Sequence, residues 1–193
     1  MTRRIFFAAL LALVACTRGP SDPSSVSEVS LDDPLVGTTP PEWTTKDWRN
    51  SPPLTLHELR GRVVLVRFFM GTACPYCSAT APALRKLHHD YASRGLVVVG
   101  LYHHREEGPL LPGQLDGYVK SYGFDFPVAR DPEWKTLDRW WLTRDREFTS
   151  ATFILDREGV IRGVHPGPRF EPGDAHYEAI RGLVEKLLAT PST

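Results

Sequence analysis

The 193 residues carry 23 basic and 23 acidic side chains, a balance that leaves no electrostatic case for a nucleic-acid partner. Three cysteines are too few for a framework of structural disulfides, and with no second CxxC pair a four-ligand zinc site lacks its thiolates. The chain opens on Thr2-Arg3-Arg4, runs through an apolar stretch from Ile5 to Ala15, and reaches Cys16. A basic start with so short an apolar core describes a secretory signal, since a membrane span needs about 20 apolar residues.

Leu13-Val14-Ala15-Cys16 resembles the bacterial lipoprotein cleavage box. The resemblance implies a signal peptide over residues 1–15, cut ahead of Cys16, and a lipid anchor on Cys16. An ordinary signal peptide with an incidental cysteine is the alternative. Thr17 follows, rather than the aspartate that retains such proteins at the inner membrane. The expectation is a lipid-anchored protein of the cell envelope that faces the periplasm, with the outer membrane as the default site. Cleavage removes Arg3 and Arg4 and no acid, so 21 basic residues face 23 acidic ones, a net charge near −2.

Residues 16–41 are rich in Ser, Pro, Thr and Asp without apolar periodicity, which predicts a flexible tether. Residues 42–190 are the right length for one domain with one core. Within them, Arg62 to Met70 is β-branched and aromatic between Gly61 and Gly71, the pattern of a buried strand. Ser78 to Arg94 places Leu84, Leu87, His88 and Tyr91 at helical spacing, with Gly95 as a stop. Leu96 to Leu101 is a second strand, which makes a parallel βαβ unit. A helix is expected over 114–122 and an extended piece over 126–129. A further helix is expected over 133–141, opened by Asp131-Pro132. Thr152–Asp156 and Val160–His165 form two strands around a turn at 157–159. A last helix starts at Asp174 and buries Tyr177, Ile180, Val184, Leu187 and Leu188.

Cys74-Pro75-Tyr76-Cys77 sits at the seam between the first strand and its helix. Backbone N–H groups and the positive end of the helix dipole converge there. A thiol so placed ionises more easily than a free one. The second sulfur, one turn on, can attack a mixed disulfide and close a small ring. Acylation of Cys16 leaves Cys74 and Cys77 as the remaining thiols, so redox use of the pair is expected by subtraction as well. A disulfide across C-x-x-C closes too small a loop to serve structure. Cys74 is the expected nucleophile, with Pro75 at the first helical position, and Cys77 the more buried resolving thiol.

With these elements in order, the chain resembles the thioredoxin superfamily, in particular its TlpA-like, redoxin-type envelope members. The resemblance rests on Cys74-x-x-Cys77 followed by Pro82, on Tyr91-Ala-Ser-Arg-Gly-Leu-Val-Val-Val-Gly100, and on Thr152-Phe-Ile-Leu-Asp-Arg-Glu-Gly-Val-Ile-Arg162. It implies an α/β thioredoxin-like fold, a central mixed sheet flanked by helices, in which Pro82 bends the redox helix. It implies thiol–disulfide oxidoreductase activity on protein thiols and disulfides in the envelope, with a membrane thiol carrier as the expected electron donor and no cofactor or metal. The Pro-Tyr dipeptide is the one found in glutaredoxins, whose potentials span roughly −200 to −230 mV, which suggests an intermediate poise.

Two departures stand out. The family's cis-proline position, facing the CxxC, holds Ser150 here, preceded by Thr149, and these two form the expected substrate-docking loop. A serine is expected to keep a trans peptide, because the cis form costs about 3 kcal/mol without proline. Thr80 stands where relatives carry a glutamate, so no proton acceptor for Cys77 is assigned. Glu58 reads as an exposed helix-start charge, and Arg67 in its apolar strand either meets an acid or marks the end of burial.

Trp140 and Trp141 are expected as one packed and one half-exposed ring. His103-His104-Arg105-Glu106-Glu107 reads as a solvated loop, and His165-Pro166-Gly167 as a turn. The alternative function is a copper-handling chaperone on the same fold, with His165 as a distant third ligand. A peroxidase of the peroxiredoxin type needs a threonine three residues before its cysteine, whereas Thr72 lies two before Cys74 and Ala73 intervenes. A binding module without catalysis is the last option, open only if Cys74→Ser leaves function intact.

Overall fold

All seven residues of the strand Val63–Phe69 (β2) are buried. A strand covered on both faces needs no polar alternation, which is why it reads as one apolar run. The computed structural model describes residues 29–143, 146, 148–167 and 169–191. Leu96–Tyr102 (β3) pairs in parallel along the length of β2, from Val63 opposite Leu96 to Phe69 opposite Tyr102. The helix between them, Pro75–Tyr91 (α1), starts three residues before Ser78 and passes into a 3-10 turn that Gly95 ends at φ +109°. Pro82 lies inside α1 and has no N–H, so the Ser78 carbonyl loses its i+4 donor.

Beyond β3, Gln114–Tyr122 (α2) leads to Val128–Arg130 (β4), parallel to β3. Thr152–Leu155 (β5) runs antiparallel to β2, and Ile161–His165 (β6) antiparallel to β5. Lys46–Arg49 (β1), a strand with no counterpart in the sequence reading, pairs antiparallel with β4. The mixed sheet has the order β1-β4-β3-β2-β5-β6. Ala175–Ala189 (α4) closes the chain; the Asp174 carboxylate accepts the Tyr177 N–H at 2.7 Å. Of its expected stripe, Tyr177, Ile180 and Val184 are fully buried, while Leu187 and Leu188 are partly so.

Alternate residues of β2 feed two cores. Val63, Leu65 and Phe69 pack with Leu84 and Leu87 of α1, Val119 and Tyr122 of α2, and Ile180 and Val184 of α4. Val64, Val66 and Phe68 pack with Trp43, Leu137, Trp140, Trp141 and Phe153 on the other face. Period-two alternation assigns each side chain its layer.

Two expectations are corrected here. The helix expected over 133–141 is broken into a 3-10 turn (Pro132–Trp134), one α turn (Lys135–Leu137, α3) and a π turn (Asp138–Leu142). Glu133 and Trp134 take φ +54° and +59°, so no helix can run through them. The Asp131 carboxylate accepts the N–H groups of Thr136 and Leu137 beyond the break, both at 2.8 Å, and so caps α3 rather than the first turn. The second concerns residues 29–41, expected within the tether. Ser30 bridges Val164 on the outer edge of β6, and Gly37 and Thr38 exchange backbone hydrogen bonds with Ile161. Asp33, 5% exposed at its side chain, binds Arg146 at 2.9 Å. Backbone pairing and one shielded ion pair fix a segment whose composition has few apolar anchors, and they cover an otherwise open sheet edge.

Residues 1–15 and Cys16 lie outside the described residues. Among those described, no helix is long and apolar enough to cross a membrane.

Candidate active site

Cys74 is the N-cap of α1, in extended backbone geometry (φ −85°, ψ 107°), and Pro75 fills the first helical position. Its Sγ takes the role a serine or aspartate oxygen has in other caps and accepts the Cys77 N–H at 3.2 Å. One turn inside, Cys77 Sγ accepts the Met70 N–H at 3.4 Å and stands 3.6 Å from Ser150 Oγ. Both cysteines are free thiols; Cys74 is 8% exposed and Cys77 3%, the expected order of burial.

The acidity belongs to the pair. The Cys77 thiol is drawn down to about 6, first by the hydrogen bond with Cys74, against its own burial, then by the charge of Arg67, the Met70 N–H and Ser150. The Cys74 thiol is pushed up, chiefly by that same hydrogen bond and then by burial. One proton shared between two sulfurs leaves easily, and the second is held.

A cleft of about 510 Å³ opens over Cys74, lined by Met70, Tyr76, Arg105, Glu106, Phe148, Thr149 and Ser150. The expected docking loop, Thr149-Ser150, thus borders the same cleft as the motif. Tyr76 is 42% exposed, and its ring meets Phe148 edge-on at 6.3 Å. Pro82 lies farther along α1 and does not line the cleft.

Several residues around the pair escaped the sequence reading. The Met70 N–H is a backbone group, and Tyr122 on α2 donates to the carbonyl of the same residue at 3.1 Å. Glu106 accepts from the hydroxyls of Tyr102 at 3.1 Å and Tyr118 at 3.2 Å, and lies 3.0 Å from His104 Nδ1. The loop expected to be solvated is therefore hydrogen-bonded, and His103 within it is wholly buried, edge-on to Trp134 at 5.1 Å. Gly71 lies against this network: a Cβ there would meet the ends of the Tyr118 and Glu106 side chains, which would have to move aside.

Arg67 carried a visible signal, a charge in an apolar strand. It is wholly buried on the α1 side of β2, where Nη1 donates to Thr152 Oγ1 at 3.0 Å. Burial pulls its guanidinium down to about 10, partly offset by the nearby thiols, so it remains charged at neutral pH. Thr80, at the position the resemblance gives to glutamate, is buried and accepts the Phe170 N–H at 3.3 Å.

Other candidates lie elsewhere. Glu58 is exposed and forms a capping box with Thr55. Trp140 and Trp141 are both buried, donating to the carbonyls of Pro41 (2.9 Å) and Phe148 (2.6 Å). His165 is buried against Phe170 and His176. Among the described residues no three His, Cys, Asp or Glu side chains gather as metal ligands.

The fold is thioredoxin-like. A solved thiol-disulfide isomerase from Corynebacterium glutamicum matches at a TM-score of 0.61 and 25% identity, covering 80% of this chain and 97% of that one. Protein DipZ of Mycobacterium tuberculosis is 28% identical over 168 residues, which is 86% of this chain and only 23% of DipZ. The chain thus spans about a quarter of that relative. Chloroplastic peroxiredoxin Q of Sedum lineare is 27% identical over 154 residues, 78% of each chain. The AhpC/TSA family pattern matches residues 36–164, from the paired N-terminal segment through β6, and this chain belongs to that family.

Proposed function

We propose that this protein is a thiol–disulfide oxidoreductase acting on protein thiols and disulfides through Cys74 and Cys77. The observation that carries this reading is the hydrogen bonding of both sulfurs: each accepts a backbone N–H, one at the helix start and one a turn inside, beside an open cleft. Two thiols held this way can exchange one disulfide bond. In the reductive direction the Cys74 thiolate attacks a substrate disulfide and expels one substrate thiolate. Cys77 then attacks Cys74 Sγ and releases the other, so two electrons pass to the substrate and the pair is oxidised. The isomerase name of the Corynebacterium structure supports the same chemistry. Thr149 and Ser150 form the docking edge, and Pro75 and Tyr76 shape the approach to Cys74.

The proposal extends to the rest of the chain. Cys16 carries a lipid after removal of residues 1–15, the domain takes in residues 29–41 together with 42–190, and the protein faces the periplasm, where a membrane thiol carrier can exchange electrons with it. Cys77→Ser tests the core of this reading: substrates should accumulate in mixed disulfides on Cys74. Capture of no partner in either oxidising or reducing cells would sink it.

Peroxide reduction is the second reading, favoured by the family and by the peroxiredoxin Q relative. Here Cys74 would attack one peroxide oxygen and break the O–O bond, the other oxygen leaving as water or an alcohol. The resulting sulfenic acid is resolved by Cys77 with loss of water to form the disulfide. Against it stands Gly71 at the position where a peroxiredoxin needs threonine, since any side chain there meets Tyr118 and Glu106. Peroxide consumption coupled to a dithiol distinguishes the two.

A further inference from the structure

We propose that the buried guanidinium of Arg67 is a counter-charge that makes the Cys74–Cys77 pair a disulfide donor, an oxidant of substrate dithiols. The inference rests on the thiol-exchange reading above and adds its direction.

The geometry begins with strand register. Arg67 of β2 lies opposite Thr152 of β5, and its Nη1 donates to that residue's Oγ1 at 3.0 Å. Two residues earlier in the chain, Ser150 places its Oγ 3.6 Å from Cys77 Sγ. Arg67, Thr152, Ser150 and Cys77 therefore form a row beneath the start of α1. The Phe170 ring, 5.7 Å from the guanidinium carbon, covers the charge from the side, and Thr80 on α1 holds the Phe170 backbone in place. Arginine keeps its proton where lysine would surrender it, so the burial is not relieved by neutralisation.

A fixed cation acts differently on the two redox states. The disulfide carries no charge, whereas the reduced pair carries a thiolate once its first proton leaves, at about pH 6. Interaction with a nearby positive charge is stronger in a shielded interior than in water. Only the reduced pair gains from it, and stabilising the reduced form of a dithiol makes its disulfide the stronger oxidant. Among the described residues, the buried histidines and the tyrosine near the row bring no competing charge at neutral pH. His103 after β3 and His165 on β6 are pulled to about 3, first by burial, and the Tyr122 hydroxyl on α2 is pushed upward by burial. Arg105 and Glu106, of opposite sign, line the same cleft and offset one another.

A substrate thiolate attacks Cys74 Sγ, the Cys74–Cys77 bond breaks, and its electron pair leaves on Cys77 Sγ, which faces the Met70 N–H, Ser150 and the field of Arg67. A second substrate thiolate attacks its own sulfur in the mixed disulfide and releases Cys74. The substrate loses two electrons and gains a disulfide; the pair is reoxidised by transfer of two electrons to a partner protein's disulfide. A low-pKa leaving thiol speeds the first step.

The test equilibrates purified wild type, Arg67→Met and Arg67→Lys with reduced and oxidised glutathione and counts free thiols by alkylation, with near-UV circular dichroism as the check on folding. Arg67→Met should shift the equilibrium at least tenfold toward the disulfide, about 30 mV lower in potential, and raise the pH midpoint of alkylation. Arg67→Lys should shift the equilibrium in the same direction, because a lysine buried at this position surrenders its proton. A folded Arg67→Met with an unchanged equilibrium overturns the proposal. Should Arg67→Met not fold, Arg67→Gln replaces it, since glutamine keeps a donor for Thr152 Oγ1 without the charge. A shift in the same direction supports the proposal, and none overturns it. Failure of the exchange reading itself looks different, with no mixed disulfide on Cys74 in Cys77→Ser.

Discussion

Ser150 Oγ stands 3.6 Å from Cys77 Sγ, so the residue at the family's proline position gives the inner sulfur a hydroxyl partner. A proline there has no such group. Hydrogen bonds to charged acceptors contribute about 1.5–3 kcal/mol, and one pKa unit is about 1.4 kcal/mol. Ser150→Ala is therefore expected to raise the first thiol ionisation by about one unit. Rates of iodoacetamide alkylation between pH 4 and 9 check this.

The pH dependence of stability follows from the same pair. The Cys77 thiol ionises at about 6 in the fold against an ordinary value of 9.0. A depressed thiol contributes stability that is fully present above about 9 and is lost as pH falls through about 6. The oxidised protein has no such titration. Urea midpoints of the reduced form should fall relative to the oxidised form between pH 9 and pH 5.

His103 and His165 act at lower pH. Both are buried and pulled to about 3, chiefly by desolvation, from an ordinary 6.5. The unfolded chain takes up these protons first, so stability is lost as pH falls from 6.5 toward 3. His103→Leu should flatten part of this loss, read as the thermal midpoint at pH 4 against pH 7.

Gly71→Ala forces a Cβ into Tyr118 and Glu106. Overpacking of this kind typically costs about 1–3 kcal/mol, and here the displaced groups border the cleft. A lowered thermal midpoint together with slower exchange is expected.

Asp33→Ala removes the partner of Arg146, whose guanidinium also stacks on Trp141 at 4.0 Å. Breaking a shielded pair from one side costs about 3 kcal/mol. The loss, measured by urea unfolding, should come with self-association through the uncovered edge of β6.

The parts of the fold visible in the sequence are those whose cause is local. β2 and β3 announce themselves by continuous apolar runs, α4 by its cap at Asp174 and its stripe, and the motif by its place between strand and helix. β1 does not, because Lys-Asp-Trp-Arg has no strand pattern. It is held by the Asp47–Arg130 ion pair at 2.7 Å and by Asn50, which donates to the carbonyls of Phe124 and Phe126. The break at Glu133 and Trp134 is likewise set by Asp131 reaching past it. In the site, the two thiols are legible and their environment is not. Arg67 stands out only as an anomaly, Glu106 hides in a polar loop, and a backbone N–H such as that of Met70 has no signature in the sequence.

Tyr122 bonds the carbonyl of Met70, while the N–H of Met70 bonds Cys77. A helix remote in sequence from the motif thereby clamps the residue that tunes the inner sulfur. Any partner or substitution that shifts α2 along the sheet would be felt as altered nucleophilicity at the pair, without touching either cysteine.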